Sequence, residues 1–267
     1  MTKPGIKAVV FDWAGTTVDF GSFAPTAVFI NLFQQVGITI TPLQARSGMG
    51  MMKKDHLHHI LNLEDVTTQW VTRFGDNPTE KDVTELFDNF IPMQNQSLTA
   101  YAKPIRGLDV VMRYLRENDI KVGSTTGYLR GMMDILIPKA AEYGYSPDVV
   151  VCSDEAPNGR PYPWMCYQNA IQLGVYPMSE MVKVGDTIID IQEGINAGMI
   201  SVGISVTGNM MGLIEEEIEK MPKEAFDKIN AAVKEEMYAA GAHYVVDGIW
   251  DLPALIETIN AEMITRK

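Results

Sequence analysis

Two acidic residues stand at the ends of short apolar runs that are typical of buried strands. Asp12 follows the run KAVVF, and Asp186 follows the run MVKVG, with Asp190 four residues later at the start of a helical pattern. The carboxyl ends of parallel strands share one edge of a sheet, where carboxylates can supply a nucleophile or bind a divalent cation. A turn explains Asp12 alone about equally well, because Asp begins many turns.

Two further segments carry groups that bind anions. The run IKVGSTTG ends in Thr126 and Gly127, which offer a hydroxyl and a backbone amide. Arg160 lies on the loop NGRP after another apolar run and offers a cation. Two acidic strand ends, one hydroxyl and one cation at a single crevice favour a site for phosphate and a metal over the turn interpretation.

The elements that must position these residues alternate along the chain. Short, nearly continuous apolar runs are typical of strands buried on both faces of a parallel sheet, and helical patterns lie between them. The strand runs are KAVVFDW, IKVGSTTG, PDVVVCS, MVKVGDT and MISVGIS, with a further short strand around HYVVDG before a closing helix. This alternation predicts an α/β protein with a doubly wound parallel sheet.

One region breaks the alternation. Between about residues 21 and 100 no convincing buried strand occurs, and segments such as PTAVFINLFQQVG have helical periodicity instead. We therefore predict a small helical cap domain over 21–100, inserted after the first strand, and an α/β core domain formed by 1–20 and 101–267. Such a cap would lie over the sheet edge where ligands bind in α/β proteins.

The order of these motifs, from Val9 to Asp190, resembles the haloacid dehalogenase superfamily. The resemblance implies that the first Asp attacks phosphorus, that the second strand's hydroxyl holds the phosphoryl group, and that Mg²⁺ is the cofactor. The implied site consists of Asp12 as nucleophile, Thr126, Gly127 and Arg160 around the phosphoryl group, Asp12, the Ala14 carbonyl and Asp186 as magnesium ligands, and Asp190 as a residue that orders the loop and the waters on the metal.

Ala14 departs from the phosphatase pattern of that superfamily. Its phosphatases carry Asp-x-Asp, whose second Asp protonates the leaving oxygen, and Ala14 cannot transfer a proton. General acid help is commonly worth about 10²–10⁴-fold in rate. A sugar- or nucleotide-phosphate phosphatase or mutase is therefore disfavoured. A phosphate-binding relic without catalysis is disfavoured too, because the nucleophile and a complete metal set are retained.

The cap sequence favours a leaving group that needs no proton from position 14. The stretches FDWAGTTVD, MGMMKKDH, GSTTGY, GRPYPWMCY and KVGDTIIDIQEG resemble the phosphonoacetaldehyde hydrolase family within that superfamily. The resemblance implies that Lys53 forms a protonated imine with an aldehyde substrate, so that a carbon–phosphorus bond breaks to an enamine. His56, one helical turn from Lys53, would relay protons, Met49 would line the pocket, and Tyr128 is a candidate for substrate contact.

Composition restricts the partners and the setting. The formal net charge of -12 argues against nucleic acid and anionic membranes as partners, and no apolar stretch approaches the length of a membrane span. The cysteines, Cys152 and Cys166, form no CxxC pair, and the N-terminus lacks a signal pattern, which predicts a cytoplasmic setting. The expected partner is a small phosphonate, and the resemblance implies a homodimer.

Overall fold

A computed structural model describes residues 5–265 of the chain, and six parallel strands within them form one sheet. The strands are β1 (Ala8–Phe11), β2 (Lys121–Thr126), β3 (Val149–Cys152), β4 (Met181–Gly185), β5 (Ile200–Ile204) and β6 (Tyr244–Val246). Their order across the sheet is β3-β2-β1-β4-β5-β6. The central strand β1 pairs with β2 on one side and β4 on the other, so the carboxyl ends of these three strands meet at one edge.

Helices follow β1 as a block and then separate the later strands. They are α1 (Phe23–Gln35), α2 (Pro42–Arg46), α3 (Lys53–Leu61), α4 (Glu64–Phe74), α5 (Glu80–Leu98), α6 (Leu108–Glu117), α7 (Arg130–Glu142), α8 (Trp164–Leu173), α9 (Ile188–Asn196), α10 (Glu215–Lys220), α11 (Lys223–Ala239) and α12 (Leu252–Thr265). This arrangement confirms the predicted doubly wound α/β core with a helical insertion after the first strand. Over the range 5–265 no helix is both long and apolar enough to cross a membrane.

Alternate residues of β1 face opposite sides of the sheet. Val9 and Phe11 are buried with the apolar faces of α6 and α12, whereas Ala8 and Val10 are buried with that of α8. Because helices cover both faces, the strand sequences are continuous apolar runs and do not alternate with polar residues. Both cysteines are buried and free.

The inserted helices α1–α5 pack on one another. α1 and α3 both contact α5, and the rings of Phe29 and Phe90 lie 4.7 Å apart between α1 and α5. The two segments that join these helices to the core run side by side, because Ile105 donates its N–H to the Thr17 carbonyl at 2.9 Å. All five helices lie within 21–100, whose exact bounds as a domain stay a prediction. The sequence pattern does not predict α2, because five residues are too few to display a helical period.

The chain enters α1 through an unusual turn. Asp19 and Ser22 have φ angles of 55° and 53°, in the left-handed region that few residues other than glycine adopt. The Asp19 carboxylate accepts the backbone N–H groups of Phe23 and Ala24, each at 3.0 Å. Those donors have no partner inside the helix. Asp19 therefore fixes the direction in which the first cap helix leaves the core.

Replacing Asp19 with Ala should lower the free energy of unfolding by about 1–2 kcal/mol, because two backbone donors lose their acceptor. Chemical denaturation followed by circular dichroism measures the difference. As a control, Asp76→Ala removes an exposed carboxylate and should change the free energy of unfolding by less than about 0.5 kcal/mol. Equal effects of the two substitutions would contradict a role for Asp19 at the start of α1.

Candidate active site

Three carboxylates come together at the carboxyl edge of the sheet. Asp12 follows β1, Asp186 follows β4, and Asp190 lies in the first turn of α9. One oxygen of each lies within 4.8 Å of the others, and all three residues are buried. The fold thus brings acidic groups that are far apart in the sequence within reach of one ion.

The loops around Asp186 close tightly on its carboxylate. A Cβ on Gly15, whose φ is 84°, would lie 2.2 Å from Asp186 Oδ2, and a Cβ on Gly208 would lie 2.3 Å from Asp186 Cβ. Oδ2 accepts the Asn209 N–H at 2.6 Å, and Oδ1 accepts the Thr16 hydroxyl at 3.1 Å. The two glycines are required here because any side chain would push this carboxylate out of place.

Burial and mutual repulsion disfavour the charged forms of two of these acids. Burial raises the pKa of Asp12, although the Arg160 guanidinium opposes this shift. Burial, followed by the charges of Asp12 and Asp190, raises the pKa of Asp186 well above its usual value. A divalent cation beside them would favour the carboxylate forms. Oxygen ligands are those that Mg²⁺ prefers, so the residues present fit the predicted cofactor.

Asp190 faces cations of the protein itself. Its Oδ1 lies 2.7 Å from Lys183 Nζ and 3.1 Å from Arg160 Nη1, and its Oδ2 accepts the Thr187 hydroxyl at 2.6 Å. Burial raises the pKa of Asp190, but the charges of Arg160 and Lys183 outweigh it and hold this pKa below its usual value. These contacts support the predicted role of Asp190 as a residue that orders the site.

Arg160 connects the predicted nucleophile to the charged layer beneath it. Its Nη2 donates to Asp12 Oδ1 at 2.6 Å and to the Thr125 hydroxyl at 2.7 Å, and its Nε donates to Glu193 Oε2 at 2.9 Å. The Arg160 side chain is only 1% exposed. Several hydrogen bonds therefore fix the orientation of its guanidinium. Bulk water does not screen the attraction between this charge and Asp12.

Lys183 and Glu193 belong to this site, although the sequence pattern did not predict them there. Lys183 lies inside the apolar strand β4 and is fully buried, and Glu193 is fully buried on α9. A lysine in the middle of a buried strand was the available signal, because such a charge requires a partner. Glu193 carries a weaker signal, since one helical turn separates it from Asp190.

The buried charges nearly balance. The cluster contains four carboxylates and two cations, namely Asp12, Asp186, Asp190 and Glu193 with Arg160 and Lys183. With all six ionised, two negative charges remain, and one divalent cation would neutralise them. Uncompensated buried charge is costly, so this cluster is compatible with a divalent metal.

A small cavity opens above these groups, between the core and the cap. Its walls contain nine of the ten predicted residues that could meet substrate or metal directly, namely Asp12, Ala14, Met49, Lys53, Thr126, Gly127, Tyr128, Arg160 and Asp186. The Thr126 hydroxyl accepts the Tyr128 N–H at 3.1 Å, which orders the loop after β2. The fold therefore gathers core and cap residues around a single space.

Lys53 reaches this cavity from the first turn of α3. It is 3% exposed, and its Nζ lies 5.0 Å from the Tyr128 ring centroid and 5.9 Å from that of Phe29. Burial lowers the pKa of Lys53 to about 8, and the charge of Asp12 opposes part of that shift. A substantial fraction of this amine is therefore neutral near physiological pH, which nucleophilic attack requires.

His56 is the tenth of these residues, and the cavity walls do not include it. Its ring packs on Phe29 with centroids 4.1 Å apart, and neither ring nitrogen has a hydrogen-bond partner among the described residues. Burial, followed by the charge of Lys53, lowers the pKa of His56 well below its usual value. The observed contact is packing, and the proton relay stays a prediction.

Arg46 links the cap to the core beside this cavity. Its Nη1 donates to the Gly21 carbonyl at 2.6 Å and to Asn209 Oδ1 at 3.2 Å, and the Asn209 side-chain amide donates back to the Arg46 carbonyl at 3.3 Å. Asn209 also donates its backbone N–H to Asp186. One core residue thus contacts both the cap and a predicted metal ligand.

The fold and the site define the class of protein. Residues 6–198 match the model of the haloacid dehalogenase-like hydrolase family. The chain belongs to this family.

Several similar proteins have more specific names. Phosphonoacetaldehyde hydrolase of Bacillus cytotoxicus is 48% identical over 257 residues, which are 96% of this chain and 97% of that protein. Phosphonoacetaldehyde hydrolase of Bacillus cereus is 46% identical, with coverage of 97% and 98%. The crystal structure of a phosphonoacetaldehyde hydrolase-like protein from Oleispira antarctica has a TM-score of 0.97 at 35% identity, covering 99% of this chain and 96% of that one. These similarities confirm the family resemblance that the sequence motifs predicted.

Magnesium should stabilise the wild-type protein and should fail to stabilise Asp186→Ala, because that variant lacks a proposed ligand. At a magnesium concentration of 100 times Kd, the wild-type gain is about 2.7 kcal/mol in free energy of unfolding. Thermal unfolding with magnesium and with excess chelator measures it. Asp134→Ala, which removes an exposed carboxylate on α7, should gain as much as wild type. An equal gain in Asp186→Ala would exclude Asp186 as a ligand.

Proposed function

We propose that this chain hydrolyses phosphonoacetaldehyde to acetaldehyde and phosphate, through an imine on Lys53 and an aspartyl phosphate on Asp12. The observation that carries the proposal is the buried Lys53 amine, with its pKa lowered to about 8, on the wall of the cavity that also contains Asp12. The curated relatives named phosphonoacetaldehyde hydrolase support the same substrate.

The reaction begins in the cap. The neutral Lys53 amine attacks the aldehyde carbon, and loss of water leaves a protonated imine. Burial removes Lys53 from water and so favours the neutral amine before attack, because the ammonium form loses its hydration. His56 remains the proposed proton relay for this step, acting through water because its ring lies behind the cavity wall.

Asp12 then acts from the core. One carboxylate oxygen attacks phosphorus, the carbon–phosphorus bond breaks, and its electron pair moves to carbon, where the protonated imine accepts it as an enamine. Protonation at carbon and hydrolysis of the resulting imine release acetaldehyde and regenerate Lys53. A second water hydrolyses the aspartyl phosphate and releases phosphate. One water is consumed overall, because imine formation releases one.

Ala14 is compatible with this leaving group. The electron pair that leaves phosphorus is accepted through the imine on the opposite side of the substrate, so no acid is needed at position 14. A phosphate ester would instead require a proton on its leaving oxygen, and its hydrolysis would lack about 10²–10⁴-fold of general acid help. The side chain of Ala14 on the cavity wall thus supports phosphonate over phosphate ester as substrate.

The remaining groups bind the phosphonate. Thr126 and Gly127 at the end of β2 would donate hydrogen bonds to its oxygens, and Arg160 would balance their charge. Asp12, Asp186 and the Ala14 carbonyl would hold magnesium. When bound there, magnesium supplies positive charge that stabilises the transferring phosphoryl oxygens.

The setting and the assembly belong to the same proposal. Two free, buried cysteines are typical of a reducing compartment, which supports a cytoplasmic enzyme. The homodimer rests on the sequence resemblance. We also propose that the cap, 21–100, closes on the core, 1–20 and 101–267, to exclude water before Asp12 attacks.

Borohydride added with phosphonoacetaldehyde or acetaldehyde should inactivate the enzyme by reducing the imine to a stable secondary amine. Peptide mapping should find this adduct on Lys53. Lys53→Arg should release acetaldehyde at least about a hundredfold more slowly than wild type, because a guanidinium presents no neutral amine. A coupled assay for acetaldehyde measures the rate.

Lys54→Arg is the matched control, because Lys54 is the neighbouring residue on α3 and does not line the cavity. It should retain wild-type turnover and still form the adduct. An adduct on Lys54, or normal turnover by Lys53→Arg, would contradict the imine mechanism.

The rate of imine formation should rise with pH to about 8 and level off above it. The pKa of Lys53 is lowered from its ordinary value to about 8, so the amine is protonated below that pH and neutral above it. Borohydride trapping with acetaldehyde at a series of pH values measures the profile. A rate that continues to rise steeply up to pH 10 would mean that Lys53 has the pKa of an exposed lysine.

A further inference from the structure

Glu193 makes polar contacts that the sequence pattern did not predict. It lies on α9, it is fully buried, and it is absent from the walls of the active-site cavity. Its Oε2 accepts Nε–H of Arg160 at 2.9 Å and the Thr125 hydroxyl at 3.0 Å, and lies 3.5 Å from Lys183 Nζ. One carboxylate oxygen therefore serves two cations and a hydroxyl, without contact to the space that substrate would occupy.

We infer that Glu193 is a positioning residue for phosphoryl transfer, because it fixes the guanidinium of Arg160 and the hydroxyl of Thr125 around Asp12. This inference rests on the proposed function. Nε is the end of the guanidinium closest to the Arg160 backbone, so an acceptor there sets the plane of the group. With that plane fixed, Nη2 faces Asp12 Oδ1 at 2.6 Å.

Thr125 completes the arrangement. Its hydroxyl donates to Glu193 Oε2 at 3.0 Å and accepts from Arg160 Nη2 at 2.7 Å. A hydroxyl has one proton, and Thr125 donates it in the hydrogen bond to Glu193. The Thr125 oxygen is thereby left as an acceptor on the side of Arg160. The same carboxylate thus orients both the Arg160 guanidinium and the Thr125 hydroxyl, which meet at the Nη2 group that contacts Asp12.

A purely structural role does not require a buried charge at this position. Burying a carboxylate costs several kcal/mol unless cations compensate it, and here Arg160 and Lys183 do so. A glutamine would keep the shape and one acceptor but would lose that compensation. Arg160 would then be drawn toward its remaining carboxylate partners, Asp12 and Asp190. Asp12 would be held more tightly and would attack phosphorus more slowly.

Glu193→Gln tests the role, with two readouts that separate the cap chemistry from the core chemistry. The first is borohydride trapping of acetaldehyde on Lys53, and the second is acetaldehyde release from phosphonoacetaldehyde with magnesium. We expect trapping within about twofold of wild type. We expect kcat to fall about ten- to a hundredfold, the value of a charge-assisted hydrogen bond, with KM little changed.

Two further variants make the result specific. Thr125→Val removes the hydroxyl at nearly constant volume and should lower kcat about two- to tenfold, again without affecting trapping. Asp148→Asn is the matched control, because Asp148 pairs with Arg116 at 2.6 Å and accepts the Val122 N–H at the opposite edge of the sheet. It should turn over like wild type.

Wild-type kcat in Glu193→Gln would overturn the inference. So would a parallel loss of trapping, turnover and thermal stability, since that pattern belongs to a structural residue. If wild type itself forms no imine and releases no acetaldehyde, the proposed function has failed. In that case the binding of beryllofluoride with magnesium, which mimics an aspartyl phosphate, tests the positioning role of Glu193. Thermal stabilisation by this probe should be weaker in Glu193→Gln than in wild type, and equal stabilisation would overturn the inference.

Discussion

The candidate active site is organised around the ion pair between Arg160 and Asp12, which places a fixed cation against the proposed nucleophile inside the protein. The pair exists only because β1 and the loop after β3 end at the same edge of a parallel sheet, and because α9 supplies carboxylates beneath the guanidinium. In this low-dielectric setting charges interact strongly and must be compensated. Lys183 contributes to that compensation, which explains why a lysine occupies the interior of β4, and the proposed divalent cation would complete it.

The cap provides the opposite environment. Lys53 is buried beside the rings of Phe29 and Tyr128, and this burial disfavours its ammonium form and keeps a neutral amine available. Charged groups are stabilised in the core, whereas the surroundings of Lys53 in the cap disfavour charge. Residues of both regions line one cavity. The proposed imine formation would require the second condition and the proposed phosphoryl transfer the first, which would be a physical reason for placing Lys53 and Asp12 on different parts of the fold.

Much of this arrangement was predictable from local sequence. Apolar runs that end in Asp12, Thr126 and Asp186 predicted both the strands and the residues at their exposed ends, because a buried parallel strand leaves a continuous apolar trace. The motif of Lys53 was recognisable by resemblance, although a lone lysine on a helix is ordinarily solvated. Helix α2 was not predictable, and neither were Lys183 and Glu193 as parts of the site, because their significance lies in contacts with residues distant in the chain.

The sequence by itself determined the alternation of strands and helices, the place of the helical insertion and the identity of the groups that can react. These follow from periodicity and residue chemistry, which are local properties. The tertiary structure decided which charges compensate one another, how far the Lys53 amine is removed from water, and that the His56 ring packs on Phe29 and lies outside the cavity wall. Burial and charge pairing depend on distances between remote segments, and those distances exist only after the cap has packed on the sheet.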